Sequence, residues 1–156
     1  MSKSVIVRSR SEAVVDGGKG FISTTGPTGV GEGDIRLALF IAGAAKVTRI
    51  TKLILAVDNA RRWRILRDPT VTANGTAQTG QNRRLAKGQT PASILYLSPN
   101  LSADGSLLTD FWGPQNIPVI LDTHWTLDPG KMLNLVTSGG ATQNASVTIE
   151  WDEEPT

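Results

Sequence analysis

The last third of the chain constrains the fold most. Residues 124–151 read HWTLDPGKMLNLVTSGGATQNASVTIEW, three short runs that alternate apolar and polar residues between compact turns. Trp125 and Leu127 share one side of the first run, and Leu133 and Leu135 one side of the second. In the third, Val147, Ile149 and Trp151 oppose Ser146, Thr148 and Glu150. A period of two belongs to a strand with one buried and one wet face. Asp128-Pro129-Gly130 and Ser138-Gly139-Gly140 are turn chemistry: Pro presets φ and Gly supplies a positive φ. The stretch predicts a three-stranded antiparallel meander or the closing strands of a sandwich.

The same grammar runs upstream. In DIRLALFIA, Ile35, Leu37, Leu39 and Ile41 fall on one face and Arg36, Ala38, Phe40 and Ala42 on the other. Both faces are largely apolar, which predicts a strand covered on both sides. Residues 47–57 are rich in β-branched side chains, and their alternation slips between Ile50 and Leu53, the mark of a bulge. RRWRILRD sets Trp63 and Ile65 against Arg62 and Arg64. A helix over 59–67 competes, but Asp68-Pro69 would stop it after barely two turns. Residues 70–91 are polar and read as a surface loop or weak edge strand, with a tight turn at Asn74-Gly75. SILYLSP is a further strand, and Asp104-Gly105 turns the chain into SLLTDFWGP. Eight to ten short strands at this spacing, without a long helix or internal repeat, give an all-β antiparallel sandwich, jelly-roll-like.

Residues 1–34 differ in kind. Seven Gly between positions 17 and 33 crowd this segment, which buries too little apolar area to offset its backbone entropy. It reads as an extended N-terminal arm (1–34) on a sandwich domain (35–156). Val5, Ile6 and Val7, and then Phe21 and Ile22, are the positions where such an arm would dock on a neighbour as a short strand. The first fifteen residues lack the apolar region and cleavage site of a signal peptide. No apolar run approaches the ~18–20 residues that span a bilayer.

Candidate chemistry is sparse. The chain has no Cys and one His, which excludes disulfides and leaves zinc without ligands. His124 and Asp122 share a strand face but supply at most part of a nucleophilic triad, and no Ser sits in a Gly-x-Ser-x-Gly elbow. GPTGVGEG has the early spacing of a phosphate loop, yet Glu32-Gly33 stands where Lys and Ser/Thr are required. Asp104 and Asp128 are isolated turn residues, too few for a hard cation. The residues therefore predict no enzyme, no cofactor and no metal.

Charge is unevenly spread. Residues 1–87 hold 15 Lys/Arg against 6 Asp/Glu, a net +9, and residues 88–156 hold 1 against 8, a net −7. Arg61, Arg62 and Arg64 surround Trp63, and Arg83 and Arg84 follow in the polar stretch. They are candidate partner contacts; with the whole chain near neutral, protein is a better fit than nucleic acid. Trp63, Trp112, Trp125 and Trp151 would make a sugar platform only if two or more were exposed.

Several elements together resemble small virion proteins of tailed bacteriophages. They are Asn82-Arg83-Arg84, Pro99 with Asp104-Gly105, the run Trp125 to Gly130, Leu133-Asn134-Leu135, Gln143-Asn144, and Trp151-Asp152-Glu153-Glu154. The resemblance covers roughly residues 47–154 and rests on turns and core positions. It implies a head decoration or cement protein, present in many copies in the virion after synthesis in the bacterial cytoplasm. Its partners would be the major capsid protein or other virion proteins and its own copies, a trimer suiting threefold positions. A tail fibre, spike or baseplate adaptor that binds carbohydrate or a receptor is the alternative.

Overall fold

Alternation along the chain becomes fifteen strands and no helix in the computed structural model, which describes residues 19–85 and 89–156. In order they are β1 (Gly20–Thr24), β2 (Thr28–Val30), β3 (Gly33–Ile41), β4 (Lys46–Val57), β5 (Arg61–Arg67), β6 (Thr70–Ala73), β7 (Thr76–Gln78) and β8 (Gln81–Asn82). Then come β9 (Ile94–Leu97), β10 (Asn100–Ala103), β11 (Ser106–Gly113), β12 (Val119–Leu121), β13 (Trp125–Leu127), β14 (Met132–Gly139) and β15 (Gln143–Pro155). The count exceeds the eight to ten expected because the polar stretch from residue 70 forms three very short strands and residues 20–30, expected as an arm, form two more.

Two antiparallel sheets face each other. The first has the order β12-β4-β15-β1-β8, with β13 also on β4 and β2 also on β15; the second runs β11-β5-β14-β3-β9-β7. Between them lie Phe21, Phe40, Ile50, Leu53, Leu55, Trp63, Ile65, Leu95, Leu133, Leu135, Val147, Ile149 and Trp151, all buried in one cluster. This is the expected antiparallel sandwich.

The last third therefore forms the closing strands of a sandwich, not a meander. β13 and β15 both pair with β4, whereas β14 lies in the opposite sheet between β3 and β5. Each turn carries the chain from one sheet to the other, so consecutive strands bury their apolar faces against one another instead of pairing edge to edge. Gly75, Gly105 and Gly130 have φ of 93°, 95° and 75°, as their turns require.

Bulges set which side chains face inward. Opposite β15, Lys52 pairs with Glu150 and Ile50 with Trp151, which leaves Thr51 as the extra residue at the slip read from the sequence. Its hydroxyl donates to the Glu150 carbonyl at 3.2 Å. A second bulge was not legible. Leu135 pairs with Ala38 and Val136 with Arg36, so Leu37 is extra on β3. One inserted residue reverses the alternation. Ile35 and Leu39, expected on one face, therefore part: Ile35 packs on the inter-sheet core and Leu39 is buried outside it.

β3 is indeed covered on both sides. Cross-strand partners share a face, and Asn134 lies between Leu39 and Leu66 in register. Its amide donates to the Asp104 carbonyl at 3.1 Å. Arg36 donates to Asp104 at 2.7 Å and to the Leu101 carbonyl. These bonds hold the β6–β10 ribbon over the outer face of the second sheet, where Leu39, Leu66, Leu101 and Val136 are buried.

The arm boundary at 34 needs correction. β1 pairs along its whole length with β15 and at Phe21 and Ile22 with β8, and β2 pairs with β15. Residues 20–30 are thus part of the sandwich: Phe21 enters the core at 4% exposure, and pairing with β15 and β8 satisfies the backbone of the segment. Val5, Ile6 and Val7 lie outside the described residues.

Candidate partner interface

The residues predicted to meet a partner are not together. Phe21 is a core residue, its ring 5.9 Å from that of Trp151. Ile22 is half-buried on the outer face of the first sheet, opposite Glu150 and Gln81. Arg83 and Arg84 follow β8, where the Arg83 amide donates to the Gly20 carbonyl at 2.8 Å. They sit beyond β1, at the edge of the first sheet opposite β12.

Arg61 is not a surface contact. It is fully buried. Its Nε donates to Thr137 Oγ1 at 3.2 Å, one terminal nitrogen to the Ala141 carbonyl at 3.0 Å, and the other to the carbonyls of Gly31 and Gly33 at 3.0 and 3.1 Å. Burial lowers its pKa, yet a guanidinium stays charged at any ordinary pH. The side chain is a staple that ties the β2–β3 and β14–β15 turns to the start of β5.

Arg62 and Arg64 do reach the outer face of the second sheet. Neither is a bare cation: Arg62 donates to Asp110 at 2.7 Å and through a second, shorter bond, and Arg64 lies 3.2 Å from Asp34. Ser138 donates to the same Asp34 carboxylate. The Ser138 bond first, and then the charge of Arg64, hold the Asp34 carboxyl below the usual carboxylate range. The Arg62 bond does the same for Asp110. Stability from depressed carboxyls is present above their unfolded pKa and lost as pH falls through the folded one. At neutral pH the face is therefore compensated. Asp34→Asn with Asp110→Asn should elute from a heparin column at distinctly higher salt than the parent, with the urea midpoint little changed. Equal retention of the two proteins would mean that the carboxylates do not mask the arginines.

A different surface emerges along one side of the sandwich. β11 is an edge strand of eight residues, SLLTDFWG, that among the described residues pairs only with β5. A register shift between Leu107 and Thr109 leaves Leu108 as an extra residue. Thr109 and Phe111 oppose Ile65 and Trp63, facing inward, while Asp110 and Trp112 oppose Arg64 and Arg62 on the outer face. The last residue of the strand is Gly113, where a Cβ would lie 2.8 Å from Trp63 Nε1. The chain then crosses to β12, pinned by the Asn116 amide on the Val57 carbonyl at 3.0 Å. Along this wall Leu107, Leu108, Trp112, Ile117 and Ile120 are exposed, Trp112 at 66% on the outer face of the second sheet and Ile120, opposite Ile54, on the outer face of the first.

No family model matches the chain, and no curated protein matches it. The wall must be read from its own chemistry. Among the described residues no strand pairs with the outer backbone groups of β11, which lie beside apolar side chains, and the single charged residue on β11 is already paired. Such an edge binds another surface by strand pairing and apolar burial. Among the described residues, no group of three His, Asp or Glu is placed to hold a metal ion. His124 and Asp122 are both exposed beside β13. Sequence reasoning missed the wall because SLLTDFWG reads as core until the sheet order makes β11 an edge.

Proposed function

We infer that the chain is a structural protein of a tailed-bacteriophage particle, a decoration or cement protein of the head. The observation that carries this reading is the apolar wall of β11, the crossing segment and β12, which gives a rigid sandwich an adhesive side. A decoration protein works by bridging neighbouring shell subunits, and a stiff body with one apolar edge suits that task. The resemblance of residues 47–154 to phage virion proteins supplies the particle.

The reading is tested on heads of the encoding phage that lack this chain. Purified protein should cosediment with them and raise the temperature at which they release DNA. Failure to bind heads, with the protein found in the tail fraction of intact particles, would overturn the assignment to the head. One observation favours a tail attachment role instead: Trp112 is exposed in the manner of a sugar-stacking residue. Trp63 and Trp151 are fully buried, so a platform of several Trp does not form from them. On the tail reading, glycan binding would be lost in Trp112→Ala while head binding would never have been present.

A further inference from the structure

We propose that the outer face of the second sheet is a binding shelf for an uncharged oligosaccharide, bounded by Trp112 at one end and by the β6–β10 ribbon at the other. Register sets the floor of the shelf in two rows that cross four strands, from β11 through β5 and β14 to β3. One row runs Trp112, Arg62, Ser138, Asp34, and the next Asp110, Arg64, Val136, Arg36. Directly opposed residues share a face, so the two rows form one surface. Neighbouring strands lie about 4.8 Å apart, which makes the shelf about 14 Å across, room for a short chain of sugar rings.

A sugar needs a flat apolar ring for the C–H face of a pyranose, and donors beside acceptors for its hydroxyls. Trp112 supplies the ring from its exposed position. The rows supply the rest. Arg36 pairs with Asp104, Arg62 with Asp110 and Arg64 with Asp34, and all six side chains remain partly in solvent. Each pair sets a guanidinium beside a carboxylate and holds both in place, so a ligand orders little that is not already ordered. Ser138 adds a hydroxyl, itself fixed on Asp34. At the β3 end the floor meets the ribbon. There Asp34, Arg36, Ser98, Pro99, Asp104 and Val136 line a cleft of about 390 Å³. Ser98, at a φ of 55°, turns the chain out of β9 towards β10 and so builds the side of that cleft.

Charge separates the ligand classes. Three arginines meet three aspartates, so the shelf carries no net charge. A nucleic acid strand or a sulfated glycan would bring its anions against Asp34, Asp104 and Asp110. An apolar segment would desolvate three ion pairs and give them no hydrogen bonds. A neutral glycan meets neither penalty. Trp112 is shared with the apolar wall, but the rest of the shelf is not, and the shelf does not rest on the head assignment.

The full chain, applied to an array of neutral, sialylated and sulfated glycans, should bind neutral members of two or more rings. The strongest neutral hit, titrated as free sugar, should alter tryptophan emission, and neither heparin nor a single-stranded oligothymidylate should compete. Trp112→Ala should abolish binding, whereas Trp112→Phe, which keeps a ring face, should retain it. Arg62→Ala should weaken binding about tenfold or more, the value of a charge-assisted hydrogen bond. Trp112 and Arg62 are both exposed, so the urea midpoints should not move. An array without a neutral hit, hits confined to sialylated or sulfated glycans, or full binding by Trp112→Ala overturns the shelf. Head binding by a protein that engages no glycan would sink the shelf and leave the head assignment standing, and glycan binding by a protein that no head retains would do the reverse.

Discussion

Replacing Trp151 with Ala is expected to lower the free energy of unfolding by about 3–5 kcal/mol, the range for truncating a buried large aromatic. Trp151 has no exposed surface. Its ring packs 5.9 Å from Phe21 and 5.1 Å, edge-on, from Phe40. It thus joins β1, β3 and β15, which span most of the chain. Its indole N–H also donates to Glu153 at 3.1 Å, and the same carboxylate accepts the amides of Ala92 and Ser93 at 3.0 and 2.7 Å. Ser93 in turn accepts the Gly43 amide at 3.0 Å and shares a bond with Thr48 at 2.8 Å. Truncation would leave a cavity and loosen the anchor of the segment that leads into β9. Domains of this size hold about 5–15 kcal/mol in all, so the variant should sit near its unfolding midpoint under mild conditions. Trp151→Phe keeps most of the area and should lose about 1–2 kcal/mol, chiefly the N–H bond and part of the ring. Urea titrations with an unchanged slope decide it. A loss under about 1.5 kcal/mol for Trp151→Ala would mean that the three strands are not held through this ring.

That residue also shows what a linear pattern contains. The inward set Val147, Ile149 and Trp151 was legible because a strand buried on one face writes its geometry directly into alternation. The bulge at Thr51 was legible for the same reason, since the pattern visibly slips. At Leu37 the bulge was hidden: β3 is apolar on both faces, so a one-residue slip changes nothing that can be read. Turns were legible where Gly must take a positive φ, as at Gly75 and Gly105. Pairing partners were not. Whether the strand of Leu133 and Leu135 lies beside that of Trp151 or across from it depends on sheet order, a long-range property. The candidate interface failed to show for that reason too. Leu107, Phe111 and Trp112 have the composition of a core strand, and only the lack of a neighbour beyond β11 among the described residues leaves Leu107 and Trp112 on the surface. In the N-terminal segment the glycines suggested an arm, and the pairing of β1 with β15, which buries Phe21 against Trp151, depends on a partner more than 120 residues away.

Arg61 carries the second large effect. Its position was half legible: it shares parity with Trp63 and Ile65, which marks it as inward, although its charge marks it as exposed. What decides the matter is a set of acceptors 28 to 80 residues away in sequence, the carbonyls of Gly31, Gly33 and Ala141 and the Thr137 hydroxyl. A buried guanidinium without a carboxylate is tolerated here because its donors meet backbone oxygens that the two turns would otherwise leave unpaired. Arg61→Met keeps the volume and removes every donor, so these acceptors lose their partner. Bonds from a charged donor are each worth about 1.5–3 kcal/mol, partly offset by the relief of desolvating the guanidinium, and a net loss of about 3–4 kcal/mol is expected. Arg61→Lys retains the charge but not the planar fork and should recover less than half of that loss. Amide exchange gives the sharper readout. Protection should fall first near Gly139 and Ala141, where the staple holds the β14–β15 turn, while the centre of β15 keeps its own. If Arg61→Met instead unfolds within about 1 kcal/mol of the parent, the carbonyl cage is incidental and the turns are held by their strands alone.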